Sequence, residues 1–264
     1  MSSTIEDTLR LLDRKSFFLI AGLITLIAWS PATLFAQSPG RVPVEPQLTL
    51  SQVVEKLVQK NAERAKALES YRGKRVYELE YKGFPKTMDA EMIVEMTYTA
   101  PGRKEFKIVS EGGSKWIVKR VLKRLLDEET EAQGAATRLS VELSPRNYEF
   151  TSLEIQTGGG CAYVLGIQPK VANKYLYRGR IWVDDRDFAV CRIEAEPAKN
   201  PSMWITKTEI HHNYQKFEEF WLPVKNESIS NLRLGGRATL TITYSDYEIN
   251  GGHAVKDNSA SSNQ

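Results

Sequence analysis

Over most of its length the chain alternates apolar and polar positions in short runs separated by polar turns. Lys174 to Pro197 shows the pattern best, as KYLYRGRIWVDDRDFAVCRIEAEP. Two runs rich in β-branched and aromatic residues flank the turn Asp184-Asp185-Arg186-Asp187. Tyr175, Tyr177, Ile181 and Val183 share one parity, and Ala189, Cys191, Ile193 and Ala195 share one in the second run. This predicts a β-hairpin with one apolar face and one mixed face carrying Arg178, Arg180, Arg192 and Glu194. Earlier, Lys74–Lys82 aligns Tyr77, Leu79 and Tyr81, and Glu91–Thr99 aligns Met92, Val94, Met96 and Tyr98. Arg103–Ser110 then aligns Phe106 and Ile108. Later strands are expected near 148–156, 161–168, 175–183, 188–195, 204–214, 224–232 and 237–249. The sum is an antiparallel meander of about ten strands with one buried face.

Two stretches have helical period instead. In 51–70, Val54, Leu57, Val58, Ala62, Ala65 and Leu68 form an apolar stripe behind Ser51, an expected N-cap. In 114–131, Ile117, Val118, Val121, Leu122, Leu125 and Leu126 form another. Its basic start and acidic end oppose the helix dipole, so packing must hold this helix. It reads either as a core cover or as a movable lid whose basic side meets anionic head groups. Residues 133–138 are small and polar and read as a loop.

The ends read differently. Arg14 and Lys15 precede the apolar run Phe17–Trp29, and small residues follow up to Ala36. That is the layout of a secretory signal peptide over residues 1–36, cleaved near Ala36. An uncleaved N-terminal anchor is the other reading. A Pro-rich linker covers 37–49, the folded domain 50–250, and a polar, Ser/Asn-rich tail 251–264. Export places Cys161 and Cys191 in an oxidising space. In a plain meander one strand separates them, and two strand spacings, roughly 9.5 Å, exceed the ~7 Å limit for a bridge. That geometry favours two buried thiols over a disulfide.

Composition narrows the chemistry. The chain has 264 residues and a net charge of +3, too weak to imply a nucleic-acid partner. It contains no G-x-S-x-G, H-E-x-x-H, C-x-x-C or phosphate-binding glycine loop, and Gly158-Gly159-Gly160 reads as a turn. His211 and His212 fall on opposite faces of one strand, and His253 lies in the tail. Asp184, Asp185 and Asp187 read as a solvated turn. The expectation is a protein that is not an enzyme, needs no cofactor and holds no metal. What stands out is an excess of large, soft and aromatic side chains on inward parities, among them Trp204, Tyr214 and Tyr244. They form either a plain core or the wall of a partly unfilled apolar cavity suited to a flexible acyl chain. The candidate lining is Tyr77, Leu79, Tyr81, Met92, Val94, Met96, Phe106, Ile108 and Tyr244 from the sheet, with Trp116, Val121, Leu122 and Leu125 from the second helix.

Four segments carry a resemblance: YRGKRVYELEYKGFP (71–85), GSKWIVKRVLKRLLDEE (113–129), YLYRGRIWVDDRDFAVCRIEAEPAKNPS (175–202) and FWLPVKNESIS (220–230). With the order helix, three strands, helix, long run of strands, the chain resembles the LolA/LolB family of periplasmic lipoprotein-sorting proteins. Ile181-Trp182-Val183-Asp184 and Trp221-Leu222-Pro223 match that family's recurrent strand ends. The resemblance implies a mainly β (α+β) fold, a half-open, strongly curved antiparallel β-barrel with covering helices on its concave side. It implies a monomeric periplasmic carrier of lipid or lipoprotein acyl chains, with an inner-membrane transporter and an outer-membrane acceptor as partners. The long basic helix departs from the family pattern. The same fold also serves periplasmic sensors that bind a membrane regulatory protein, which is the alternative function.

Overall fold

The computed structural model describes residues 48–131, 133–157, 160–173, 175–200, 202–233 and 235–251. The expected signal segment, nearly all of the linker, the tail beyond Gly251, Gly158-Gly159, Pro201 and His253 lie outside the described residues.

Helix α1 spans Leu50–Ala67. Its cap is Thr49 rather than Ser51: the Thr49 hydroxyl accepts from the Gln52 N–H, and the Gln52 side chain accepts from the Thr49 N–H at 2.9 Å. This reciprocal capping box satisfies two otherwise orphaned donors. The helix ends before residue 70, where the first strand begins. The strands are β1 (Ser70–Lys82), β2 (Met88–Thr99), β3 (Arg103–Gly113), β4 (Tyr148–Ile155), β5 (Tyr163–Pro169), β6 (Tyr177–Val183), β7 (Val190–Pro197), β8 (Ile205–Phe217), β9 (Phe220–Leu232) and β10 (Arg237–Ile249). Between β3 and β4 lies the second helical stretch. Helix α2 (Lys115–Ile117) passes through a π-helical turn, Val118–Leu122, into α3 (Lys123–Glu131). The expected loop after it holds a short helix, α4 (Ala135–Val141).

All ten strands form one antiparallel sheet in the order β3-β2-β1-β10-β9-β8-β7-β6-β5-β4. The β1–β10 pair, from Tyr71↔Ile249 to Lys82↔Arg237, joins the two ends of the meander. The sheet stays open between its edges β3 and β4, as the half-open barrel requires. Its curl follows from one fact: Lys104 on β3 and Tyr177 on β6 line the same cavity. Those strands stand seven places apart, about 34 Å in a flat sheet. Gly113 makes the exit from β3 into α2 possible, because at φ 74° a Cβ would stand 2.5 Å from the Asp89 carbonyl oxygen.

The core divides into covered halves. Val53, Val54 and Leu57 of α1 pack on Leu165, Ile167, Ile181, Val183 and Ile193 of β5–β7. Each such fully buried aliphatic contributes about 1.5–3 kcal/mol. The Arg64 guanidinium then fastens the helix end to the β6–β7 turn, donating to the Asp187 and Phe188 carbonyls at 2.7 and 3.0 Å. On the other half, Ile117, Val118, Leu122 and Leu126 pack on Tyr77, Leu79, Met92 and Val94 of β1 and β2. A third cluster, with Tyr71, Met96, Phe217, Leu222, Tyr244 and Tyr247, closes the end where β8 turns into β9.

Cys161 and Cys191 are disulfide-bonded, with Cα atoms 6.3 Å apart, which overturns the expectation of two thiols. Two departures from a plain meander bring them together. Cys161 precedes β5 instead of lying in it. A register shift after Trp182, which pairs with Arg192 while Val183 pairs with Val190, leaves Cys191 as the extra residue of a bulge. The bulge also breaks the expected parity. Cys191 packs with Val164, Trp182 and Cys161, away from the Ile181–Ile193 face.

Candidate functional site

Between the two helix-covered halves lies a cavity of about 630 Å³, within the ~300–1,000 Å³ range of ligand sites. Its floor is the middle of the sheet. Strand β8 contributes Thr208, Ile210, His212 and Tyr214, β9 contributes Asn226, Ser228 and Ser230, and β10 contributes Leu240, Ile242 and Tyr244. Period two puts each of these sets on one face. Tyr71 and Arg75 of β1 form one wall, Tyr177 of β6 the other, and Leu125 and Glu129 of α3 reach in from above. Leu125 and Glu129 lie three and seven residues beyond the buried Leu122, on the same face at ordinary helical spacing, so one face runs from the core to the cavity.

The lining is more polar than the sequence suggests. Arg75, only 5% exposed, donates to Glu129 at 2.7 Å and to the Tyr77 hydroxyl at 3.1 Å. Its guanidinium lies 5.2 Å from the ring centres of both Phe106 and Tyr244. Lys104 donates to the same carboxylate at 2.6 Å. Burial opposes the Glu129 charge, but the Arg75 hydrogen bond and the two cations hold its carboxyl below the usual range. For Arg75 burial alone favours the neutral form; the Glu129 hydrogen bond outweighs it and the pKa moves up. Across the cavity the His212 ring meets Tyr177 edge-on at 5.7 Å. Burial, with a smaller contribution from His211, pushes His212 down to about 4, so it is neutral at ordinary pH. Asn226 donates to the Tyr244 hydroxyl at 2.8 Å, and Thr208 and Ser230 share a hydrogen bond at 2.9 Å. A second cavity of about 430 Å³ lies beyond Lys104, Glu129 and Tyr177 and shares these three with the first.

Of the residues expected to line a cavity, Leu125 and Tyr244 do so. Tyr77, Leu79, Met92, Val94 and Leu122 are buried beneath the second helix, with Tyr81, Phe106 and Val121 packed against them. Met96 is buried in the third cluster. The methionines therefore fill core rather than wall: Met92 is 0% and Met96 2% exposed. Ile108 and Trp116 face outward at 37% and 63%, and Trp204, expected inside, is 56% exposed. The histidines do separate by face, His212 into the cavity and His211 onto another surface beside Glu194 and Lys207. The Asp184 turn is a hydrogen-bonded one, its carboxylate accepting from the Arg186 and Asp187 N–H groups at 3.0 and 2.7 Å. Among the described residues no cluster of His, Cys, Asp and Glu is arranged to hold a metal.

Sequence reasoning missed Arg75, Tyr177, His212 and Asn226 as wall residues. A polar side chain on an inward parity was the available signal, and Arg75, between Gly73 and Tyr77, carried it.

No protein-family model and no curated protein matches the chain. Among solved structures it is similar to a DUF1329 family protein from Desulfovibrio piger, with 11% identity over 76% of this chain and 93% of that one and a TM-score of 0.38. A putative outer membrane lipoprotein-sorting protein domain from Vibrio parahaemolyticus matches with 11% identity over 75% and 94%, at a TM-score of 0.35. A LolA superfamily protein from Nitrosomonas europaea matches with 8% identity over 76% and 94%, at 0.34.

Proposed function

We propose that this chain is an exported, non-enzymatic binding module that carries a lipid or lipoprotein acyl chain in the cavity beneath α3. The observation that carries the reading is a sizeable cavity left between two well-packed halves. Ile210, Leu240, Ile242 and Leu125 and the faces of Tyr177, Tyr214 and Tyr244 offer apolar contact to methylenes, each worth about 0.8 kcal/mol when buried. Arg75, Lys104, His212 and the hydroxyls offer polar contact to a head group. Residues 1–36 act as the signal for export to the periplasm, 37–49 as a linker and 251–264 as a free tail. An inner-membrane donor and an outer-membrane acceptor complete the route. The sequence segments that resemble the LolA/LolB family and the open, helix-covered sheet support this assignment.

A second reading, a sensor that binds a membrane regulatory protein, is favoured by one feature. Strand β3 is an edge, exposed along Lys107–Gly113, and an extended segment can add to such an edge. Native mass spectrometry of the protein purified from its own host separates the two. A carrier leaves as a complex with lipid mass. A bare chain that co-purifies with a membrane protein contradicts the carrier.

A further inference from the structure

In an up-and-down sheet alternate connections fall at the same end. Here one end gathers the connections β1–β2, β3–α2, β5–β6, β7–β8 and β9–β10. Contacts make them one rim. The Ala198 N–H donates to the Leu176 carbonyl at 2.7 Å, joining the β5–β6 and β7–β8 loops. Arg233 donates from Nε to the Met203 carbonyl at 2.6 Å and from its N–H to the Trp204 carbonyl at 2.9 Å, joining β7–β8 to β9–β10. Gly83 and Gly236 approach so closely that a Cβ on Gly83 would stand 2.8 Å from the Gly236 Cα. The Ser114 N–H donates to the Asp89 carbonyl at 2.7 Å, which brings the start of α2 to the same edge.

This rim carries large apolar side chains pointing into water: Phe84 at 85%, Met203 at 76%, Val171 at 70%, Trp116 at 63% and Trp204 at 56%. Between them stand Lys82, Lys86, Lys115, Lys170, Lys199 and Arg233, all exposed. The five connections, 83–87, 114–116, 170–176, 198–204 and 233–236, contain no Asp or Glu. The sixth connection at this end, 142–147, balances Glu142 with Arg146. The opposite end is the reverse, with Asp184, Asp185, Asp187, Glu218 and Glu219 against Arg186 in its turns.

We infer that this rim docks on the surface of an anionic lipid bilayer, with Phe84, Met203, Trp204 and Trp116 entering the head-group layer and the lysines lying on anionic lipid heads. Two physical requirements of interfacial binding meet here. Aromatic and aliphatic tips supply apolar burial, and Trp in particular settles at the interface. Lysines near the surface supply attraction that salt screens. The acidic far end sets the orientation by repulsion. Leu240, three residues along β10 from its first residue, Arg237, next to the rim, places the cavity about 10 Å from the bilayer in this pose. The inference stands on the rim alone and does not depend on what fills the cavity.

The test is flotation with phosphatidylglycerol-containing vesicles at low salt, using the chain from Gln37 onward. That chain keeps every strand, helix and core cluster described above and lacks the apolar N-terminal run. Wild type is expected to float, and the triple variant Lys86→Gln/Lys115→Gln/Lys199→Gln to bind about a hundredfold more weakly, at about fivefold per lysine. Phe84→Ser/Met203→Ser/Trp204→Ser should also lose binding while melting normally, since all three side chains are exposed. A control with the same change of net charge elsewhere, Lys66→Gln/Lys107→Gln/Lys216→Gln, should float like wild type. Wild type that stays with the soluble fraction overturns the inference, and so does a control that loses as much binding as the rim variant.

Discussion

His212 links the cavity to pH. Its ring meets Tyr177 edge-on at the cavity floor, and burial lowers its pKa from 6.5 to about 4 on folding. Between these values the unfolded chain binds a proton that the folded chain refuses. Stability contributed by keeping His212 neutral is therefore full above pH 6.5 and declines as pH falls toward 4. The span corresponds to an upper bound of about 3 kcal/mol, reduced because the ring faces a cavity rather than solid core. Urea melts of wild type and His212→Gln between pH 4 and 7 should show a shallower decline in the variant. The same slope in both would remove His212 as the cause. Residues such as this one were half legible. Alternation along β8 told that His211 and His212 part company, and inward parity marked Tyr77, Met92 and Tyr244. Parity does not tell how far along the face the helices reach. The methionines read as a soft cavity wall, yet Met92 lies under α2 and α3 and Met96 in the cluster at the β8–β9 end, and the wall formed further round the sheet. The disulfide was hidden for a similar reason, because a bulge at Cys191 and a late start of β5 are local breaks in the period on which the reading rested.

At the level of elements, the helical stretch 115–131 does two jobs along its length. Leu122 is fully buried among Tyr77, Met92 and Val94, whereas Leu125 looks into the cavity. Placing a carboxylate at each position separates the jobs. Leu122→Glu puts an unpaired charge into solid core and should cost more than about 4 kcal/mol, enough to unfold a marginal domain. Leu125→Glu should cost about 1–2 kcal/mol, because its carboxylate reaches cavity water and the Arg75 and Lys104 cations, and should weaken acyl binding more than it weakens the fold. Thermal melts with a fatty-acid probe assay distinguish them. Equal destabilisation at both positions would make the stretch a core cover throughout. Its existence was plain from the i, i+3, i+4 stripe. The split of its duties was not, because Leu122, Leu125 and Glu129 share one face and the stripe does not tell where core ends and cavity begins. Likewise α4, seven residues long, is too short to show a helical period within the small, polar stretch 133–138 that reads as a loop.

For the whole molecule, the hairpins followed from alternation and turn residues, and about ten strands were expected where ten stand. The β1–β10 pairing, between residues 155 (Lys82↔Arg237) to 178 (Tyr71↔Ile249) apart in the chain, cannot be seen in any local window, and it sets where the cavity forms. It brings Arg75 opposite Tyr244 and carries β3 with Lys104 and Glu129 round toward Tyr177. The space so formed, open on one side, is where an amphiphile is proposed to bind. Titration of a fluorescent fatty acid into delipidated wild type and Ser228→Trp tests it most directly, since the indole fills the cavity without entering either packed half. Saturable binding is predicted for wild type, at least tenfold weaker in Ser228→Trp, with both chains melting within a few degrees of each other. Equal affinity in the two chains, or no saturable binding by wild type, would contradict the claim.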